Sequence, residues 1–166
     1  FACRLPEYPA HASVYADGWV DGAHKTLAAL GQGAFLHLGA RAAHYGLTWE
    51  RVMGALSLVH TSSPSYAVMA SLDAARHRLQ RGGAEWRTLA KACATFREAV
   101  AALPGLHCPD IAGARAVGAV ALDPARLVVD VRGRGLTGYA AQSILNSAGV
   151  AVELADDRRI VALPAP

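Results

Sequence analysis

Apolar side chains recur at alternating three- and four-residue steps between Trp86 and Leu103: Trp86, Leu89, Cys93, Phe96, Val100 and Leu103. This stripe predicts a long amphipathic helix packed along one face, closed by Pro104-Gly105. Cys93 lies on the stripe and reads as core rather than as a nucleophile. Upstream, Ser63-Pro64 reads as a capping hydroxyl followed by a first-turn proline. It predicts a helix to about Arg81, stopped at Gly82-Gly83, with Met69, Leu72, Arg76 and Leu79 on one face. A further helix is expected over 47–60, with Thr48 as N-cap and Glu50 in its first turn. Another is expected over 137–148, ended by Gly149. Short apolar runs at 19–21, 35–38, 127–131, 150–154 and 160–163 read as strands, with a weaker one at 117–122. Residues 1–17 read as loop and a short helix, limited by Pro6 and Pro9. The order of elements defines an α/β chain, divided near residue 105 into 1–105 and a smaller α+β part, 106–166.

Composition narrows the partners. The 166 residues are 53% hydrophobic and carry a net charge of +3, enough for a domain with a true core. The basic residues are mostly arginines scattered among acids and rarely flanked by aromatics, which argues against a nucleic-acid surface. No apolar run reaches the ~18 residues of a membrane span, and nothing at the start reads as a secretory signal. Cys3, Cys93 and Cys108 form no CxxC pair, which fits a reducing, cytoplasmic setting. The histidines show no HxxH or HExxH spacing, so no metal site is expected.

Candidate chemistry concentrates in Trp19-Val20-Asp21-Gly22-Ala23-His24-Lys25-Thr26-Leu27. A short apolar run breaks at a glycine and delivers a His-Lys pair among small residues. A lysine so placed can lie where packing lowers its pKa, and a neutral amine forms a Schiff base with a carbonyl. The stretch misses the P-loop pattern, because Ala23-His24 separates Gly22 from Lys25-Thr26. A competing motif is Gly133-Arg134-Gly135-Leu136-Thr137-Gly138, a GxGxxG after a strand and before a helix, with Glu153 and Asp156 near the distance of a ribose-binding acid. Against a dinucleotide site, Asp156-Asp157-Arg158 reads as a hairpin turn between the last two strands rather than as a crossover.

Three segments taken together resemble one family. The first is His24-Lys25-Thr26-Leu27 with Gln32 and Leu36-His37. The second is Thr61-Ser62-Ser63-Pro64-Ser65-Tyr66 with Met69-Ala70-Ser71-Leu72-Asp73-Ala74-Ala75-Arg76. The third is Asp123-Pro124, Asp130-Val131, Gly135-Leu136-Thr137-Gly138-Tyr139 and Val152-Glu153-Leu154-Ala155-Asp156. In order and type they are similar to the bacterial ornithine/lysine/arginine decarboxylases, and they cover most of the chain.

The resemblance implies the aspartate-aminotransferase-like fold of pyridoxal 5'-phosphate enzymes. Residues 1–105 would be the C-terminal part of the cofactor-binding major domain, and 106–166 part of the small domain. It implies decarboxylation of arginine, lysine or ornithine in polyamine metabolism, by a cytoplasmic homodimer or larger homo-oligomer with a shared active site. Lys25 would anchor the cofactor aldehyde and assist proton transfer. His24 would lie beside the cofactor phosphate. Thr61 and Ser62 would serve phosphate, in the neighbouring subunit's site, and Glu153 or Asp156 would meet the cationic end of the substrate.

Three departures from the family pattern bear on these expectations. Gly22 stands where the family has a serine, Gly31 and Gly33 flank Gln32, and the acid and ring-stacking histidine of the family lie upstream of Phe1. The chain therefore reads as a piece of a longer enzyme. The alternatives are a different pyridoxal-phosphate enzyme, such as an aminotransferase or another lyase, and a catalytically inactive interaction domain.

Overall fold

The computed structural model describes residues 5–81 and 83–166; Cys3 and Gly82 lie outside the described residues. The chain forms two compact units, Ala10–Gly82 and Gly83–Pro166, the segment ending at Pro9 belonging to the second. The long helix over the Trp86 stripe thus belongs with the C-terminal unit. The expected division near residue 105 concerns family domains and does not coincide with this partition.

In the first unit, β1 (Gly18–Gly22) pairs antiparallel with β2 (Ala34–Leu38), Gly18 opposite Leu38 and Gly22 opposite Ala34. Strand alternation puts Trp19 and Asp21 on one face of β1 and Val20 on the other. On the Trp19 face the indole stacks on its cross-strand neighbour His37, with ring centroids 5.0 Å apart, and donates Nε1–H to Asp21 Oδ2 at 3.1 Å. Nε2 of His11 and Nε2 of His37 lie 3.5 and 3.2 Å from the same oxygen. On the opposite face Val20 and Leu36 are cross-strand partners and both are exposed.

Helix α1 (Trp49–Leu56) starts where expected, the Thr48 hydroxyl accepting from the Arg51 amide. It stops at Leu56 rather than near His60; the Ser57 hydroxyl donates to the Gly54 carbonyl at 2.7 Å and tightens the last turn. Helix α2 (Tyr66–Gln80) is capped by Ser65, not Ser63. Ser63 lies outside the helix, where its amide donates to Thr61 Oγ1 at 3.1 Å. The buried and half-buried face of α2 is Val68, Leu72, Ala75 and Leu79, whereas Met69 and Arg76 are exposed. Arg76 instead reaches Asp73 and Gln80 along the helix surface.

The second unit holds the larger core. Helix α3 (Ala84–Ala101) buries Leu89, Ala90, Cys93 and Val100. Leu89, Cys93 and Val100 pack with Cys108, Leu127, Val129, Val131, Ala141 and Ile160. Burial pushes both the Cys93 and Cys108 thiols above the ordinary cysteine value, which suits a packing role for Cys93. Phe96 is exposed on α3. The next residue, Arg97, supplies the inward contact instead: Nε–H donates to Pro109 O at 3.2 Å, Nη1 to Pro124 O at 2.9 Å and Nη2 to Arg126 O at 3.1 Å. One planar guanidinium thereby ties two loops to α3, a task a lysine ammonium cannot reproduce. Arg97→Ala is expected to lower stability by about 2–4 kcal/mol through three unbonded carbonyls, and Arg97→Lys to recover under half of that, as read from urea unfolding midpoints.

Helix α4 (Ile111–Ala116) was not anticipated; Asp110 caps it by accepting from the Gly113 amide at 2.8 Å. The expected strand at 117–122 is absent from the sheets, and Val117 and Val120 are 86% and 90% exposed. With nothing facing them, these apolar residues have no surface on which to form a strand. Strands β3 (Leu127–Asp130), β4 (Leu154–Ala155) and β5 (Arg159–Ala162) form an antiparallel sheet in the order β3-β5-β4. Helix α5 (Gly138–Ser147) begins at the Thr137 cap, and Gly149 follows it at φ +79°.

The antiparallel sheet bears out the hairpin expected at Asp156-Asp157-Arg158, which spoke against a dinucleotide site at Gly133–Gly138. The chain after α5 enters the β4–β5 hairpin, not a parallel crossover strand. Two of the motif's glycines are required by packing: an added Cβ on Gly133 would lie 2.6 Å from Gly105 Cα, and one on Gly138 would collide with the Asp156 and Arg159 carbonyls.

At the end of β3, Arg132 donates Nη2–H to Asp130 Oδ2 at 2.6 Å, and Nε–H and the backbone amide reach the same carboxylate at 3.0 Å. The side-chain bonds from Arg132, then its amide, hold the Asp130 carboxyl down to about 2. A depressed carboxylate stabilises the fold above its ordinary value of 3.8 and loses that contribution as pH falls toward about 2. The urea midpoint is therefore expected to fall across that window, and to fall less in Asp130→Asn.

Candidate active site

Of the residues singled out in the sequence, His24 and Lys25 sit on the connection between β1 and β2, Thr61 and Ser62 lie between α1 and α2, and Glu153 and Asp156 belong to the second unit. After Gly22 the chain enters a 3-10 turn, Ala23–Lys25, which places His24 and Lys25 side by side. Ala23 is fully buried and anchors the turn. Its amide donates to Gly33 O at 3.0 Å, extending the hairpin ladder, and its carbonyl accepts from Leu27 N at 2.9 Å. His24 Nδ1 donates to the same Gly33 carbonyl at 3.1 Å. That bond puts the ring proton on Nδ1 and leaves Nε2 for another partner. Gln32 adopts a left-handed φ of +68° beside Gly33, which returns the loop to β2.

Lys25 is exposed and has no hydrogen bond or ion pair among the described residues. Thr61 and Ser62 lie on the exposed connection between α1 and α2. The Thr61 hydroxyl accepts from the Ser63 amide. No hydrogen bond links Thr61 or Ser62 to His24 or Lys25, so this chain groups His24 with Lys25 and leaves the two hydroxyls apart. A primary amine without a competing partner, beside an imidazole with one nitrogen uncommitted, has the chemistry to meet an aldehyde and a phosphate. Gly22 also has room for a side chain: an added Cβ would meet only Lys25 Cγ, at an ordinary 3.5 Å. Among the described residues no group of His, Cys, Asp or Glu has metal-binding geometry.

Sequence reasoning missed the supports of this turn. Gly33 receives two hydrogen bonds and packs against Leu72 of α2, and Ser71 of the same helix accepts from the Leu30 amide. Strand alternation could have paired Trp19 with Asp21. Nothing local signals a contact between Leu30 and Ser71.

The fold matches a solved structure of constitutive lysine decarboxylase from E. coli with a TM-score of 0.67 and 21% identity, over 88% of this chain and 25% of that one. The model of the Orn/Lys/Arg decarboxylase major domain matches residues 18–121, more than half of the chain, and the chain belongs to that family. Similar relatives include the uncharacterized protein YaaO of Bacillus subtilis (strain 168), 33% identical over 148 residues and 88% of this chain. An arginine decarboxylase of the same organism is 36% identical over 122 residues and 70% of this chain. The chain spans 29% and 24% of those two relatives. No helix among the described residues is long and apolar enough to cross a membrane.

Proposed function

We propose that this chain contributes the lysine-bearing part of the active site of a pyridoxal-phosphate-dependent decarboxylase acting on arginine, lysine or ornithine. The observation that carries the reading is the exposed, unpaired Lys25 amine on a turn pinned at both ends, inside the segment the family model covers. In this reading 1–105 is part of an aspartate-aminotransferase-like cofactor domain and 106–166 part of the small domain, in a cytoplasmic homo-oligomer.

Lys25 holds the cofactor through its amine and returns a proton to the substrate's α-carbon. His24, held by Gly33, presents Nε2 to the phosphate. Thr61 and Ser62 supply hydroxyls to the phosphate in a partner subunit's site. When bound, pyridoxal phosphate supplies the electron sink for the pair left behind by carbon dioxide. Exposed Val20 and Leu36 on the hairpin, with Trp49, Leu58, Val59 and Tyr66 beyond it, support a site whose other walls come from further polypeptide.

Gly22 makes the reading testable by gain. Gly22→Ser restores the family hydroxyl at a position with space for it and an ordinary backbone, φ −71° and ψ 97°. It is expected to tighten pyridoxal phosphate binding about tenfold or more, one hydrogen bond to a charged oxygen, measured by fluorescence titration. Product analysis with arginine, lysine and ornithine decides the reaction. Amine plus carbon dioxide is expected, whereas a keto acid would assign the site to an aminotransferase.

A further inference from the structure

The loop that follows Lys25 is fastened to helix α2 at two points. The Leu30 amide donates to Ser71 Oγ at 3.0 Å, and the Ser71 hydroxyl donates in turn to Val68 O at 2.7 Å. Three residues on, Gly33 lies so close to Leu72 that an added Cβ would sit 2.9 Å from Leu72 Cδ2. Gly33 is also the residue whose carbonyl holds the Ala23 amide and the His24 ring. The Lys25 turn is therefore not fixed by its own short-range bonds alone. Its far side rests on two consecutive residues of α2.

We propose that Ser71 is a positioning residue for Lys25: its hydroxyl clamps the 26–33 loop at Leu30 and so sets where the Lys25 amine is presented. The proposal rests on the cofactor reading above for its purpose, and on the hydrogen bonds for its mechanism. The Ser71 proton is committed to Val68 O, which orients a lone pair of Oγ toward the Leu30 amide. Leu72 cannot substitute for this bond, because it offers the loop only apolar contact. Removing the hydroxyl leaves the Leu30 amide to water while α2 keeps its helix, alanine being the better helix former.

The test uses the intact protein that carries this sequence and its Ser71→Ala variant, with Ser71→Thr as the conservative variant. Threonine keeps a hydroxyl that can bond the carbonyl one turn back. Two readouts are taken: amide exchange at Leu30, and the rate at which pyridoxal 5'-phosphate with borohydride labels Lys25 relative to Lys91. These two are the sequence's only lysines, and Lys91 lies on α3 in the other unit.

In Ser71→Ala, Leu30 exchange is expected to rise about five- to tenfold, and labelling of Lys25 to fall about threefold or more. Ser71→Thr is expected to restore both. Unchanged exchange at Leu30 overturns the clamp. Faster exchange with unchanged Lys25 labelling overturns its role in positioning the amine, while the cofactor reading stands. An intact wild-type protein labelled no faster at Lys25 than at Lys91 overturns the cofactor reading and removes the purpose of the clamp.

Discussion

Gly138→Ala is expected to lower the stability of the C-terminal unit by about 3 kcal/mol or more, because the added methyl meets backbone rather than a side chain that can turn away. Gly138 is the first residue of α5 and is buried. Its Cα packs against the turn of the β4–β5 hairpin, where the Asp156 and Arg159 carbonyls lie within the radius of a new Cβ. That turn cannot yield cheaply. The Asp156 amide donates to Arg159 O at 3.0 Å, and Asp156 Oδ1 accepts from the Arg158 and Arg159 amides at 2.7 Å. Relief requires α5 to lift from the sheet, uncovering Ala141 and Ile160 in the core. Gly113→Ala, in α4 of the same unit, is the control. There the new Cβ would make ordinary 3.5 Å contacts with Asp110 and Pro109, so helix propensity predicts no loss, or a gain of up to about 1 kcal/mol. Urea unfolding of both variants should separate them clearly, and equal midpoints would show that α5 does not depend on this close approach.

Lys25→Ala carries the largest functional effect. In a cofactor-loaded protein with this sequence, it is expected to abolish the visible absorbance of the bound cofactor and to slow amine formation roughly a thousandfold or more, since alanine offers no amine to the aldehyde. Lys25→Arg keeps the charge but has no nucleophilic amine, and is expected to behave like the alanine variant. Retained absorbance and turnover in either variant would remove Lys25 from the chemistry.

Much of the local architecture was legible in the residues because it depends on local signals. Thr48 and Thr137 start their helices through their hydroxyls, and Gly149 closes one through its left-handed backbone. The turn at 156–158 makes the hairpin that its sequence suggests. Side chains whose role is set by distant partners were not legible. Phe96 fits the apolar stripe of α3, but Arg97 makes the inward contacts because two loops bring it three carbonyls. Ser65 rather than Ser63 caps α2, its hydroxyl accepting from the Val68 amide. The glycines of the GxGxxG match one motif in sequence and another purpose in space. In the candidate site, the adjacency of His24 and Lys25 could be read directly. The clamp from Ser71 joins residues 41 apart, and no pattern along the chain announces it.

The most direct measurement is peptide mapping of the intact protein that carries this sequence after pyridoxal 5'-phosphate and borohydride treatment, comparing Lys25 with Lys91, the two lysines of this sequence. The expected result is label concentrated on the Lys25 peptide and suppressed there by free phosphate, with Lys91 modified slowly and without regard to phosphate. Equal modification of the two lysines, or preference for Lys91, would contradict the assignment of Lys25 as the cofactor anchor.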